Sequence, residues 1–198
     1  MLSLRRHLAF LFAVIALLAG GAPARADEDG SRILVARPEL QDQLYGASIL
    51  IAKPMPDGSS LGFILNKPTP LTLGQLFPGH QPSVKGADPI FLGGPVGTEV
   101  VFALVERAVS PGKGALQVAP DLYLAIEAET VDRIIEKESD HARFLLGMVV
   151  WRPGELQDEM KRGLWYEMKT DPGLVLRKKT EGMWEELVQR SEDSASAI

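Results

Sequence analysis

Short apolar runs rich in β-branched and aromatic residues recur at residues 33–36, 47–52, 61–65, 90–92, 100–105, 122–127 and 143–150. Each is too short for a buried helix and is bounded by turn residues, so each predicts a strand. The strongest turns are Pro54-Met55-Pro56-Asp57-Gly58 and Ser110-Pro111-Gly112-Lys113-Gly114, where proline presets φ and glycine accepts a positive φ. Strands joined by loops this short pair antiparallel more readily than through helical crossovers. The pattern therefore gives an α+β chain built on a mostly antiparallel sheet.

Helical periodicity appears in four places. Thr72 caps a short turn reaching Phe77, and Thr130 opens a segment with Val131, Ile134 and Ile135 on one face and charge on the other. Residues 153–162 carry a first-turn proline, Leu156 and Met160 four apart, acids early, Lys161 and Arg162 late, and Gly163 as the stop. Residues 180–190 place Met183, Trp184, Leu187 and Val188 on one stripe that predicts docking on the body. The remainder, 191–198, is small and polar and predicts a flexible tail.

The opening of the chain follows a different rule. Arg5 and Arg6 precede an uncharged apolar run over residues 8–21, and Ala24-Arg25-Ala26 has small residues at alternate positions, which is the pattern of a cleavable secretory signal over 1–26. The run is shorter than the roughly 20 residues a spanning helix needs, so an N-terminal inner-membrane anchor is the alternative and a permanent one is not expected. Cleavage there leaves a single domain over 27–190 plus the tail and removes Arg5, Arg6 and Arg25, moving the net charge from −5 to −8. An acidic product argues against direct nucleic-acid binding, since phosphates reward clustered Lys and Arg. With no cysteine in the chain, a periplasmic or secreted domain must rely on packing and hydrogen bonds rather than disulfides.

Ordered motifs add a further layer. The chain shows Leu34-Val35-Ala36-x-Pro38-x-Leu40-x-Asp42, then Gly62-Phe63-Ile64-Leu65-Asn66-Lys67-Pro68, Gly93-Gly94-Pro95-Val96 and Phe102-x-Leu104. Gly147 to Trp151, Gly154-x-Leu156-x-x-Glu159, Trp165 and a late Trp184 complete the series. From about residue 33 to 187 it resembles the YqgE/AlgH family. The resemblance implies a bent sheet curling into a pseudo-barrel with a few short peripheral helices. It implies little about activity: members carry the label of transcriptional regulators of alginate synthesis, or none. Family members are typically cytoplasmic, whereas this chain reads as exported. The family also carries Gly-Gln-Leu-Glu where this chain has Gly154-Glu155-Leu156-Gln157, so glutamine and glutamate have exchanged places.

Candidate chemistry concentrates in a few residues. Gly93-Gly94-Pro95 reads as a tight turn at a strand end, or as a backbone nest for an anion. Asn66-Lys67-Pro68 closes a strand, with the asparagine bonded to turn backbone and the proline stopping the strand; alternatively its amide and Lys67 face a polar pocket shared with the glycine turn. Trp151 and Trp165 flank the 153–162 helix and predict core packing, while Glu155 and Glu159 read as a solvated helix face or as paired carboxylates. His80 and His141 have no second histidine or cysteine at ligand spacing, so no metal and no cofactor are expected. Without a cysteine or a Gly-x-Ser-x-Gly elbow, the usual covalent catalysts are missing.

The first reading is therefore a non-enzymatic binding or regulatory protein acting on an unidentified protein or small molecule. The alternative is a metal-independent hydrolase or transferase using Asn66, Glu159 and the Gly93-Gly94 turn. Sequencing the N-terminus of the protein recovered from fractionated cells is expected to return a periplasmic species beginning near Asp27; an intact cytoplasmic chain starting at Met1 would refute the export reading.

Overall fold

Strand β1 (Arg32–Ala36) sends Ile33 and Val35 to one face and Leu34 and Ala36 to the other, and all four are buried. Strands β2 (Ile49–Pro54) and β3 (Ser60–Ile64) are likewise covered on both faces over their apolar residues, which is why these segments read as continuous apolar runs rather than as alternation. The computed structural model describes residues 30–84 and 88–196; the leader expected at 1–26 lies outside the described residues.

The remaining strands are β4 (Pro68–Thr72), β5 (Pro89–Leu92), β6 (Val96–Glu106), β7 (Ala115–Ala119), β8 (Leu122–Ala125), β9 (Ala142–Trp151) and β10 (Trp165–Lys169). The helices are α1 (Leu73–Leu76), α2 (Gln81–Val84), α3 (Ala128–Glu138), α4 (Glu155–Lys161), α5 (Pro172–Val175) and α6 (Met183–Ser196), with one 3-10 turn at Ser139–His141. The ten strands form one curled sheet in the order β10-β1-β2-β3-β9-β6-β8-β7, with β4 on β5 and β5 on β9. All pairings are antiparallel except β5 with β9, so the expected α+β half-barrel is what the chain forms.

Strand β9 makes the curl. Its first half lies between β5 and β6, and its last residues, Val149 to Trp151, pair with β3. Between the halves sits Gly147 at φ +70, where a Cβ would stand 2.4 Å from the Gly94 carbonyl oxygen. Only glycine takes that conformation at that distance from a neighbouring backbone. The largest core fills the inside of the curl with Phe63, Phe91, Phe102 and Leu145, and α6 closes it with Met183, Leu187 and Val188. Outside, α3 covers one half through Val131, Ile134 and Ile135, and α4 covers the other through Leu156.

Several sequence expectations change in detail. Pro68 opens β4 instead of ending the chain's extended path, a position where its missing N–H costs no ladder bond. Thr130 lies inside α3, whose N-cap is Glu127, and its hydroxyl donates to the Lys113 carbonyl at 2.8 Å. Helix α6 begins at Met183 and runs on through the polar residues to Ser196, past the Arg190 expected as its end. Thr72 does cap α1, in a reciprocal box with Gln75.

One buried cation ties the C-terminal arm to the sheet. Arg143, 1% exposed, donates from Nε to the Val175 carbonyl at 2.7 Å, from Nη1 to the Leu65 carbonyl at 2.6 Å and from Nη2 to the Arg177 carbonyl. Its guanidinium stacks 4.0 Å over the Phe91 ring. Burial pulls its pKa down to about 10, against an opposing pull from Asp88, which leaves it charged at neutral pH. Replacing Arg143 with methionine is expected to lower unfolding free energy by roughly 2–4 kcal/mol, because the three carbonyls lose their donor. Arg143→Lys should rescue little, since one ammonium does not span the fork. Urea denaturation of both variants checks this, with wild-type midpoints the contrary result.

Candidate functional site

Helix α4 joins β9 to β10, which are separated in the sheet by β1, β2 and β3. Gly154 precedes it at φ +86, Glu155 Oε2 accepts from the Arg152 N–H at 2.7 Å, and Gly163 at φ +69 returns the chain to the sheet. This places Trp151 at the end of the strand before the helix and Trp165 at the start of the strand after it. Both indoles turn to the same acceptor: Glu159 Oε2 takes Trp151 Nε1–H at 3.1 Å and Trp165 Nε1–H at 2.8 Å. Glu159 Oε1 has no hydrogen-bond donor among the described residues. The rings are packed, at 4% exposure each, so the core role expected of them holds alongside this polar one. Gly62 makes room for the Trp151 ring, since a Cβ there would lie 2.4 Å from it.

Above this floor opens a cleft of about 670 Å³, walled by Tyr45, Trp151 and Trp165 and carrying Asp42, Glu155, Asp158 and Glu159 against Arg162. Tyr45 meets Trp165 edge-on, 6.5 Å between centroids and 81° between planes. It is carried there by a tight turn in which Asp42 Oδ1 accepts the Leu44 and Tyr45 N–H groups at 2.8 Å each. Those two bonds hold the Asp42 carboxyl below its ordinary pKa. Burial raises that of the Tyr45 phenol, and the Glu159 and Asp42 charges raise it further. At the rim, Glu155 pairs with Arg152 at 3.3 Å and Asp158 with Lys161 at 3.2 Å, exposed pairs of small energetic weight.

The residues singled out from sequence divide between this cleft and its support. Asn66 bonds backbone on both sides of its amide, Oδ1 to the Ile49 N–H at 2.8 Å and Nδ2 to the Ala47 carbonyl at 2.8 Å, while Lys67 Nζ reaches the Gly46 carbonyl at 3.3 Å. They brace the turn that carries Tyr45, including Ala47 in its left-handed conformation at φ 52. Gly93 and Gly94 are next to them: the Leu92 N–H donates to the Lys67 carbonyl and the Ile64 N–H to the Gly93 carbonyl, both at 2.8 Å. The expected neighbourhood of the two segments is therefore present. None of the four lines the cleft, however, and Glu159 stands apart from them. The glycine pair is buried, with its N–H at Gly93 spent on the Leu146 carbonyl and a Gly94 Cβ position 2.2 Å from Met148 backbone. It serves close backbone packing at the bend of the sheet.

Pro95 is exposed at the same bend, and Trp184 bonds the Ala36 carbonyl at 2.8 Å. Tyr45, Asp158 and Arg162 were not anticipated; the spacing of Tyr45 three residues after Asp42 was the one available signal. His80, for which no histidine or cysteine partner was expected, is brought by the fold against the carboxylates of Asp132 and Glu136.

Comparison with known proteins agrees with this architecture. An uncharacterised UPF0301 protein of Streptomyces avermitilis is 27% identical over 174 residues, covering 84% of this chain and 89% of its own length. Another from Anaeromyxobacter dehalogenans is 29% identical over 167 residues, covering 79% and 85%. Among solved structures, a Corynebacterium diphtheriae protein superposes with TM-score 0.69 at 20% identity, covering 84% of this chain and 89% of that one. The solution structure of AlgH from Pseudomonas aeruginosa gives 0.68 at 20% identity, covering 86% and 91%. These two likenesses concern the fold. The AlgH-like family model (DUF179) matches residues 33–195, a span that takes in the curled sheet, the tryptophan cleft and the closing helix, and the chain belongs to that family.

Proposed function

We propose that this AlgH-like chain is a non-enzymatic binding protein that works outside the cytoplasm after losing its leader, and that the tryptophan cleft receives an ammonium or guanidinium group. That group is carried either by a small amine or by a basic side chain of a partner protein. The observation that carries the reading is the Glu159 carboxylate, fixed by two indole N–H donors on one oxygen while the other has no donor among the described residues. A carboxylate locked in place by its neighbours is preorganised for a cation and loses little freedom on binding it. Perpendicular aromatic walls at Tyr45 and Trp165 add an environment that favours cations.

Charge supports the same ligand class: Asp42, Glu155, Asp158 and Glu159 line the cleft beside Arg162, with Glu155 and Asp158 also paired at the rim to Arg152 and Lys161. Glu155 is the residue at which the chain departs from the Gly-Gln-Leu-Glu pattern, so the exchange adds negative charge on the cleft side, while Gln157 is exposed and is not among the residues lining the cleft. Export is supported by the leader read at residues 1–26, upstream of the family match. The alternative of a hydrolase or transferase centred on Asn66 and the glycine turn gains no support, as those groups are engaged in internal backbone bonds.

Tryptophan emission provides the test. Titration with tetramethylammonium, arginine amide and a lysine-bearing peptide is expected to give saturable changes with at least one of them, weakened about tenfold in the Glu155→Gln, Asp158→Asn double variant, which keeps both indole bonds. Saturable binding of acetate or inorganic phosphate in place of the cations would overturn the reading, and so would silence towards all three.

A further inference from the structure

On the face of the molecule covered by α3, three side chains from two distant segments converge. His80 lies between α1 and α2, and Asp132 and Glu136 lie one turn apart on α3. Nε2 of His80 is 3.4 Å from Asp132 Oδ1 and 3.9 Å from Glu136 Oε1, and the three potential ligand atoms lie within 4.8 Å of one another. We infer that His80, Asp132 and Glu136 form a binding site for a divalent transition-metal ion of the zinc type, which clips the α1–α2 corner onto α3.

The arrangement has the form such a site requires. His80 Nδ1 is engaged by the Ser83 hydroxyl at 2.7 Å, and Ser83 is fully buried, so the ring is held with Nε2 turned towards the two carboxylates. A partner on the second ring nitrogen is what orients metal-bound histidines. The two carboxylates, four residues apart on one helix face, repel each other unless positive charge stands between them. Neither has a Lys or Arg partner among the described residues; the neighbouring Arg133 pairs with Glu129 and Arg107 with Glu138. Among the described residues His80 is thus the one basic group they pair with, and a neutral imidazole would present its lone pair to both.

The charge that resolves this is either a proton or a metal ion. The distances accommodate the metal. Ligands about 2.0–2.2 Å from zinc lie somewhat more than 3 Å from each other, so the site needs only a small contraction to close around an ion. One imidazole and two carboxylates suit zinc, cobalt or manganese better than soft copper(I) or calcium. The side chains are partly exposed, at 27%, 58% and 45%, leaving room for water in the remaining coordination positions. Such a site is structural in kind: it joins two short helices at one corner of the sheet, far in sequence from the tryptophan cleft, and it does not depend on that cleft's ligand.

Isothermal titration of the full chain, stripped with chelator, is the experiment. Zinc chloride is expected to bind with one-site stoichiometry and to raise the melting temperature, whereas calcium chloride does neither. His80→Ala and the Asp132→Asn, Glu136→Gln double variant should each weaken zinc binding at least about tenfold, and Ser83→Ala by roughly 10–100-fold through loss of ring orientation. All but Ser83 are surface positions, so circular dichroism should show the fold intact. Absence of saturable zinc binding, or zinc binding unchanged in His80→Ala, would overturn the assignment. A proton-only site would reveal itself as an NMR titration of the His80 ring that zinc leaves unshifted, and that result counts against the metal equally.

Discussion

The Arg143 guanidinium is the constraint around which the rest is organised. It stands at the start of the strand shared by both halves of the sheet and hydrogen-bonds three carbonyls, one just after β3, one at the last residue of α5 and one in the arm beyond it. A buried charge without a carboxylate partner survives only when its donors are used, so the sheet, the arm and the ring of Phe91 have to meet at one point. From there the chain passes into α6, which seals the inside of the curl. Lys178, reaching the Ala142 carbonyl at 2.6 Å and Asp88 at 2.9 Å, repeats the attachment one step further out.

Much of this was legible in order of residues. The seven apolar runs all became strands, Thr72 and Gly163 marked helix ends, and the Met183, Leu187, Val188 stripe docked where its spacing required. Strands β4, β7 and β10 escaped notice because most of their residues are only partly buried and lack a run of β-branched or aromatic residues, as in Pro68-Thr69-Pro70 or Ala115-Leu116-Gln117, and gain their order from neighbours in the sheet. Thr130 misled because a hydroxyl before an apolar face resembles a cap, while its true partner, the Lys113 carbonyl, is a tertiary contact. The cleft was half visible. Trp151, Trp165, Asp42 and Glu159 stood out individually, but that two indoles share one oxygen follows from the fold gathering the end of β9 and the start of β10 under α4, although the two strands do not pair. The His80 cluster was wholly invisible, since its ligands come from segments that only the fold brings together.

The cleft also shows how one set of residues can serve packing and recognition together. The indole bodies of Trp151 and Trp165 fill the layer beneath α4, and their N–H groups hold a carboxylate at the boundary with water. Asn66 and Lys67 act one step back, by shaping the turn that presents Tyr45. The polar residues that sequence marked as a site thus contribute through backbone geometry, and the acidic helix face supplies the charge.

The pairing of β1 with β10 carries a consequence for how the molecule comes into being. Residues 32–36 find one of their two neighbours only in residues 165–169, and the Ala36 carbonyl is met by Trp184 still later. During synthesis the first strand therefore emerges long before the strand and helix that cover it, and ring closure over such a span is slow. That edge of the sheet is therefore completed only after residues 165–184 have been made.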